Sequence, residues 1–234
     1  MIFLIATTVT SLFYIRDYPM IIPVLFLTLG FGLIGFLDDY LKVVLKRSDG
    51  LLPWQKMALQ IVVTAVFAFY LVNYSNVSLT MKIPFWSGHY LNLGWFAVPV
   101  LFFAVIGTVN GVNFTDGLDG LASSVTLIVA VFFTVVSLGM NSGVEPITCA
   151  VVGSLMGFLL FNVYPAKVFM GDTGSLGIGG LCGWCGLCHA DAAVYHPGRT
   201  DLPCGGIVCY APGILFQGNT RKKNLQDGAY PPSF

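Results

Sequence analysis

Three short stretches gather side-chain oxygens in an otherwise apolar chain. The first is Gly35-Phe36-Leu37-Asp38-Asp39-Tyr40-Leu41-Lys42. Two adjacent carboxylates repel unless a cation or a nearby ammonium neutralises them. Lys42 lies about one helical turn from Asp39, and Lys46 continues that face. Basic groups beside an acidic pair suit a site for phosphate and metal. An ordinary solvated helix end with a local ion pair would look the same.

The second stretch is Asn110-Gly111-Val112-Asn113-Phe114-Thr115-Asp116-Gly117-Leu118-Asp119-Gly120. Asn and Asp offer hard oxygen ligands, and Gly lets backbone approach a ligand closely. It resembles a calcium loop only weakly, because the ligand spacing and terminal Glu are missing. The bland alternative is a turn unusually rich in acids. The third stretch is Pro165-Ala166-Lys167-Val168-Phe169-Met170-Gly171-Asp172-Thr173-Gly174-Ser175. Asp172 follows Gly171 just before a new apolar run, where an anion and a metal could meet a helix N-terminus. Simple helix capping by Asp172, Thr173 or Ser175 explains one such residue equally well. Taken jointly, the three stretches point to Mg²⁺ and a pyrophosphate. Mg²⁺ prefers few carboxylates plus substrate phosphate oxygens.

The elements that must position these groups are membrane helices. Of 234 residues 56% are hydrophobic and only 9% charged, against about 25% charged in soluble domains. That leaves too little polar surface to coat a soluble globule. The formal net charge is zero, so no nucleic-acid partner is expected. Apolar runs occupy Met1–Tyr14, Met20–Leu37, Met57–Val72, Leu93–Val109, Leu121–Met140 and Ile147–Tyr164, and a seventh begins near Ser175. Most approach the ~20 residues that a helix needs to cross a bilayer. The segment Asn76–Gly94 is more polar and turn-bearing, and reads as a short hairpin or an interfacial loop. The chain opens directly in apolar sequence without a basic leader, as if trimmed upstream.

Topology follows from charge. Lys42, Lys46, Arg47 and Lys56 after the second run argue for the cytoplasmic side. Each later crossing flips the side, so the hairpin is expected outside, in the periplasm. The three acidic stretches then all fall in inside loops. After the first crossing the outer loops hold only Glu145.

The motifs GFLDDYLKV, NFTDGLDGLA and PAKVFMGDTGSL, in this order between apolar runs, closely resemble the phospho-N-acetylmuramoyl-pentapeptide transferases. These bacterial enzymes belong to the polyprenyl-phosphate N-acetylhexosamine-1-phosphate transferase superfamily. The likeness covers roughly Met1 to Gly180. It implies an all-α, ten-helix bundle in the bacterial plasma membrane, of which about seven helices are present, with its active site cytoplasmic. It implies transfer of phospho-MurNAc-pentapeptide from UDP to undecaprenyl phosphate with Mg²⁺, giving lipid I and UMP. The expected partners are the membrane, the undecaprenyl phosphate carrier, UDP-MurNAc-pentapeptide and a second copy in a homodimer. Carried over by motif, Asp38 and Asp39 would handle the lipid phosphate, one of them as a candidate base. Asp172 would hold Mg²⁺. Asn110, Asn113, Asp116 and Asp119 would line the nucleotide-sugar pocket beside Gly171, and Phe169 would stack on uracil. Lys42 and Lys46 would neutralise phosphates. Asn162 and Lys56 are weaker assignments. A base need not act at all if the lipid phosphate attacks directly.

Two departures stand out. The resemblance expects a first helix and a Gly-Thr-Pro-rich loop before Met1. It also expects further apolar helices and a His-rich loop after Gly180. Instead, residues 181–234 hold Cys182, Cys185, Cys188, Cys204 and Cys209 and end in a polar stretch expected to be disordered, Asn219–Phe234. A one-nucleotide shift resolves this. One permitted codon set for RKKNLQDGAYPPSF reads, one base later, GKRIFKMAPIHHH, which supplies the missing His motif. Asp201–Gly213 likewise permits IYLVEALSVMLQV, an apolar helix. The expectation is a core over 1–180 and a tail over 181–234 that is out of frame from near Gly179–Cys182, leaving the chain inactive or poorly folded. The rival reading is a zinc site at Cys182-x-x-Cys185-x-x-Cys188-His189.

Competing functions remain. A sister enzyme would transfer GlcNAc-1-phosphate from UDP-GlcNAc to the same carrier. An ion-coupled transporter would carry its acids within helices rather than at their ends. A non-catalytic remnant is the third.

Overall fold

The computed structural model describes residues 1–46, 50–74, 80–82, 90–92 and 94–195. Among these it has seven α-helices: α1 (Ile2–Tyr14), α2 (Ile21–Val43), α3 (Pro53–Tyr74), α4 (Ala97–Thr115), α5 (Leu121–Met140), α6 (Glu145–Asn162) and α7 (Gly171–Tyr195). Each corresponds to one expected apolar run. Five helical stretches, Ile21–Val43, Pro53–Leu71, Gly94–Thr115, Leu121–Gly139 and Glu145–Asn162, are long and apolar enough to cross a membrane. The chain is an all-α, multi-pass membrane bundle. The expected hairpin is present as β1 (Thr80–Lys82) and β2 (Tyr90–Asn92), antiparallel with Met81 opposite Leu91.

In lipid every backbone amide and carbonyl must be satisfied within the chain, which is why apolar runs become helices. Buried hydroxyls obey the same rule. Thr7, Ser11, Thr28 and Thr64 each donate to the carbonyl four residues back. Outward faces stay apolar, with Phe13, Phe69, Phe103, Ile128 and Leu160 well exposed. That is expected of surface in contact with acyl chains.

The centre of the bundle is α7, packed against α2, α4 and α5. Small residues permit the close approach of α2 and α7. A Cβ on Gly35 would overlap the Asp172 carbonyl. On the other side, a Cβ on Gly179 would lie 2.6 Å from Val109 Cα. Phe31, Leu27, Val105, Val109, Leu176, Ile178 and Leu181 fill the seams around it.

The helices run further than their apolar cores. The run ending at Leu37 continues as α2 to Val43, and the run ending at Val109 continues as α4 to Thr115. Asp38, Asp39 and Lys42, and also Asn110 and Asn113, therefore sit on terminal helical turns, not in loops. Asp172 is the second residue of α7. The carboxylates and amides are thus carried on rigid rods. Helix α7 also passes without a break through Gly180, the expected boundary of the core. Residues 196–234 lie outside the described residues, as do the side chains of Cys188 and His189. Of the proposed zinc ligands, Cys182 and Cys185 are buried in the helix core.

Candidate functional site

Near the end of α2, Asp38 is buried at 2% exposure. Its Oδ1 accepts the Leu51 amide at 2.6 Å, from the segment that follows α2. Its Oδ2 lies 2.8 Å from Lys42 Nζ and 3.6 Å from Lys56 Nζ. Asp172 Oδ2, on α7, meets the same two ammoniums at 2.8 and 3.3 Å. Two carboxylates and two lysines from α2, α3 and α7 thus form one closed charge cluster. An isolated buried carboxylate would be costly, so the cluster needs all its members.

Asn113 on α4 joins this cluster. Its amide is satisfied with the nitrogen toward Asp172 Oδ1 at 3.0 Å and Ser175 Oγ at 2.9 Å, and with the oxygen 3.1 Å from Lys56 Nζ. Asp116 ends the same helix, in the turn just beyond it. Burial first, then the charges of Asp172 and Asp39, push its carboxyl up to about 6. Asp39 faces the start of α7, where its Oδ2 accepts the Thr173 amide at 2.9 Å. Gly171 adopts φ +68° there, a left-handed conformation that suits glycine.

The remaining expected residues stand outside the cluster. Asn110 turns its amide toward α3. It exchanges two hydrogen bonds with Gln60 of α3, at 2.7 and 3.3 Å, and also donates to the Ile106 carbonyl. Asp119 accepts the Ala166 amide at 3.1 Å, and Asn162 donates to the Val168 carbonyl and accepts from Ser123. Both brace the segment leading into α7. Lys46 is exposed and makes no ion pair among the described residues. Phe169, 72% exposed, lies two residues before Gly171 with its ring open. Sequence reasoning gave Lys56 little weight and passed over Gln60. No local pattern marks either one; their partners lie on other helices. Thr173 and Ser175 were read only as caps.

The donor set fits a hard divalent cation. Among the described residues no three His, Cys, Asp or Glu converge into a ready-made cage. Yet Asp38 Oδ2 and Asp172 Oδ2 already share a cation, each ammonium bridging both oxygens. Two carboxylates and an amide oxygen are the sparse set that Mg²⁺ uses when phosphates supply the rest.

The chain is similar in sequence to known proteins over the part that holds the cluster. The profile described as "Glycosyl transferase family 4" matches residues 21–189, which holds every member of the cluster. The phospho-N-acetylmuramoyl-pentapeptide-transferase of Acetivibrio thermocellus is 49% identical over 183 residues, 77% of this chain and 55% of that protein. The protein of the same name from Caldicellulosiruptor bescii is 45% identical over 177 residues, 75% of this chain and 54% of its own. That of Clostridioides difficile is 50% identical over 153 residues, 64% of this chain and 47% of its own. The chain spans about half the length of these curated relatives. With its helices, its acidic cluster and the long profile match in agreement, the chain belongs to glycosyl transferase family 4.

Proposed function

We propose that the cluster binds a pyrophosphate and carries out phosphoglycosyl transfer, moving phospho-MurNAc-pentapeptide from UDP to undecaprenyl phosphate. The observation that carries this reading is the pair Asp38–Asp172 sharing two lysine ammoniums at helix ends. Transfer of a phosphoryl group needs positive charge around the transferring oxygens and fixed positions for both partners. The lysines supply the first requirement. The rigid helical turns supply the second.

In this reading an oxygen of the lipid phosphate attacks the sugar-bearing phosphorus of the nucleotide. The bond from that phosphorus to the bridging oxygen breaks, and UMP leaves with the electron pair. A phosphate monoester has a second pKa of about 6 and is largely ionised at neutral pH, so the attack needs no protein base. Lys42 and Lys56 would leave their carboxylates to meet the incoming phosphates. Asp172, Asp38 and the Asn113 amide oxygen would then be free to hold Mg²⁺. When bound, the metal would stabilise charge on the leaving phosphate. Phe169 is the candidate surface for the nucleobase, and Asp116 would lie beside the nucleotide. The reaction would face the cytoplasm, and β1–β2 the periplasm.

The helix-end position of the acids supports an enzyme over an ion-coupled transporter. The test is release of UMP from UDP-MurNAc-pentapeptide by the full chain in detergent with undecaprenyl phosphate and Mg²⁺, run beside UDP-GlcNAc. Release from the muramoyl substrate alone supports the reading. Release from UDP-GlcNAc alone would replace it with the sister activity, and release from neither, with the frame of the tail restored as well as in the chain as written, would remove it.

A further inference from the structure

Asp39 is adjacent to Asp38 in sequence but does different work. Its Oδ1 accepts the Asp172 amide at 3.3 Å. Its Oδ2 accepts both the Thr173 amide at 2.9 Å and the Thr173 hydroxyl at 2.6 Å. Both oxygens are therefore turned into the first turn of α7.

The first amides of a helix have no acceptors within the helix, and a side chain just before it normally provides one. Here the first helical residue is Gly171, preceded by apolar Met170, and neither side chain can accept. A Cβ at Gly171 would lie 3.0 Å from Asp39 Oδ2, so the space for a local cap is already filled from outside. The acceptor comes instead from another helix, α2. Thr173 is buried, and its hydroxyl gives the carboxylate a third donor. This matters for the cluster because Asp172 is one of the two capped residues. Its backbone is fixed by Asp39 while its side chain meets Lys42 and Lys56.

We propose that Asp39 and Thr173 are a positioning pair, an interhelical cap that sets the rotation of the first turn of α7 and thereby aims the Asp172 carboxylate. Asp39 does not exchange a proton with substrate. A group that did so would have to present an oxygen to the substrate, and both of its oxygens face α7. The catalytic consequence rests on the transferase reading above; the cap itself does not.

The test uses the full chain in detergent, with two measurements. Amide hydrogen exchange over Gly171–Ser175 is followed without metal or substrate. UMP release is followed as Mg²⁺ is titrated. Asn keeps one acceptor oxygen, enough for the Thr173 amide and hydroxyl but not for the Asp172 amide as well, so Asp39→Asn should keep protection at Thr173, lose part of it at Asp172 and retain clearly more of kcat than Asp39→Ala. Asp39→Ala should speed exchange roughly tenfold, the size expected for loss of one cap, and should raise the half-saturating Mg²⁺ concentration. Thr173→Val should behave as a milder Asp39→Ala, and Thr173→Ser should restore both readouts. If Asp39→Asn is as inactive as Asp39→Ala while its exchange at Thr173 is unchanged, Asp39 acts on substrate and the proposal is overturned. If Asp39→Ala leaves exchange unchanged, there is no cap and the proposal is again overturned. Should the wild type release no UMP even with the frame of its tail restored, that failure belongs to the transferase reading, and the exchange measurement still decides the cap.

Discussion

Asp38 and Asp172 lie on different helices yet share both of their cations, Lys42 and Lys56. Removing either acid leaves two ammoniums to share one carboxylate. Asp172→Asn and Asp38→Asn should each lower kcat by about 10³-fold, in line with losing one preorganised electrostatic contact. UMP release by purified variants measures this. Chelation of Mg²⁺ should stop the wild type and be reversed by added metal.

Asp116 gives a dependence on pH with a definite sign. Its folded value of about 6 lies above the ordinary carboxylate range. The folded state therefore holds this proton more tightly than the unfolded chain does. The resulting stability is complete below about pH 4 and is lost as pH rises through about 6. In metal-free protein, Asp116→Asn should melt at the same temperature as wild type at pH 4 and higher than wild type above pH 7. Thermal melts in detergent with chelator check this. An equal difference at both ends would contradict it.

Gln60 and Asn110 predict a coupled pair. The two amides satisfy each other between α3 and α4 inside the apolar bundle. Hydrogen bonds between membrane helices contribute about 0.6–2 kcal/mol. Gln60→Leu alone should destabilise by about that much. The double variant with Asn110→Leu should recover part of the loss, because no amide is then left stranded. A double-mutant cycle on thermal unfolding measures the coupling.

Gly35 and Gly153 form a matched comparison. A methyl group at Gly35 meets the Asp172 backbone, while one at Gly153 meets nothing within 4 Å. Gly35→Ala should cost about 1–3 kcal/mol through overpacking and should lower transfer activity. Gly153→Ala should change neither. Melting temperature and UMP release separate the two.

The reading frame of the tail can be checked on DNA. Among the described residues, buried Trp184 Nε1 has no hydrogen-bond partner. A stranded donor of this kind costs about 1–3 kcal/mol, and it falls just after the proposed shift near Gly179–Cys182. Resequencing across codons 175–185 is expected to reveal an insertion or deletion relative to intact relatives. Restoring the frame should raise UMP release, and equal activity in both forms would refute the shift.

The spans were legible because hydropathy alone decides where a helix can enter lipid. The hairpin was legible from its polar, turn-bearing composition. The ends of α2 and α4 were not. Lys42 pairs with Asp38 one turn earlier, and Asn110 bonds to its own helix and to Gln60, so charged and polar residues continue a helix that their type alone would end. The clustering of Asp38, Asn113 and Asp172 was foreseen as a shared location. The division of labour between Asp38 and Asp39 was not, because it depends on which neighbour α7 brings to each. Asn110 and Asp119 were read as pocket-lining and Asn162 as a weaker assignment, and each has a hydrogen-bond partner on a neighbouring helix or segment. A short polar side chain looks the same in sequence whether it faces a ligand or a backbone carbonyl.

The central place of α7 has a mechanical consequence. Twelve residues separate Trp184 from Asp172, about 18 Å along the rod at the α-helical rise. A tilt of only a few degrees, pivoting at the far end, would swing the carboxylate by roughly an ångström, and a misplacement of that size can cost about a hundredfold in rate. Repacking the core around Trp184 should therefore tune turnover from far along the rod, without touching a single group that meets substrate.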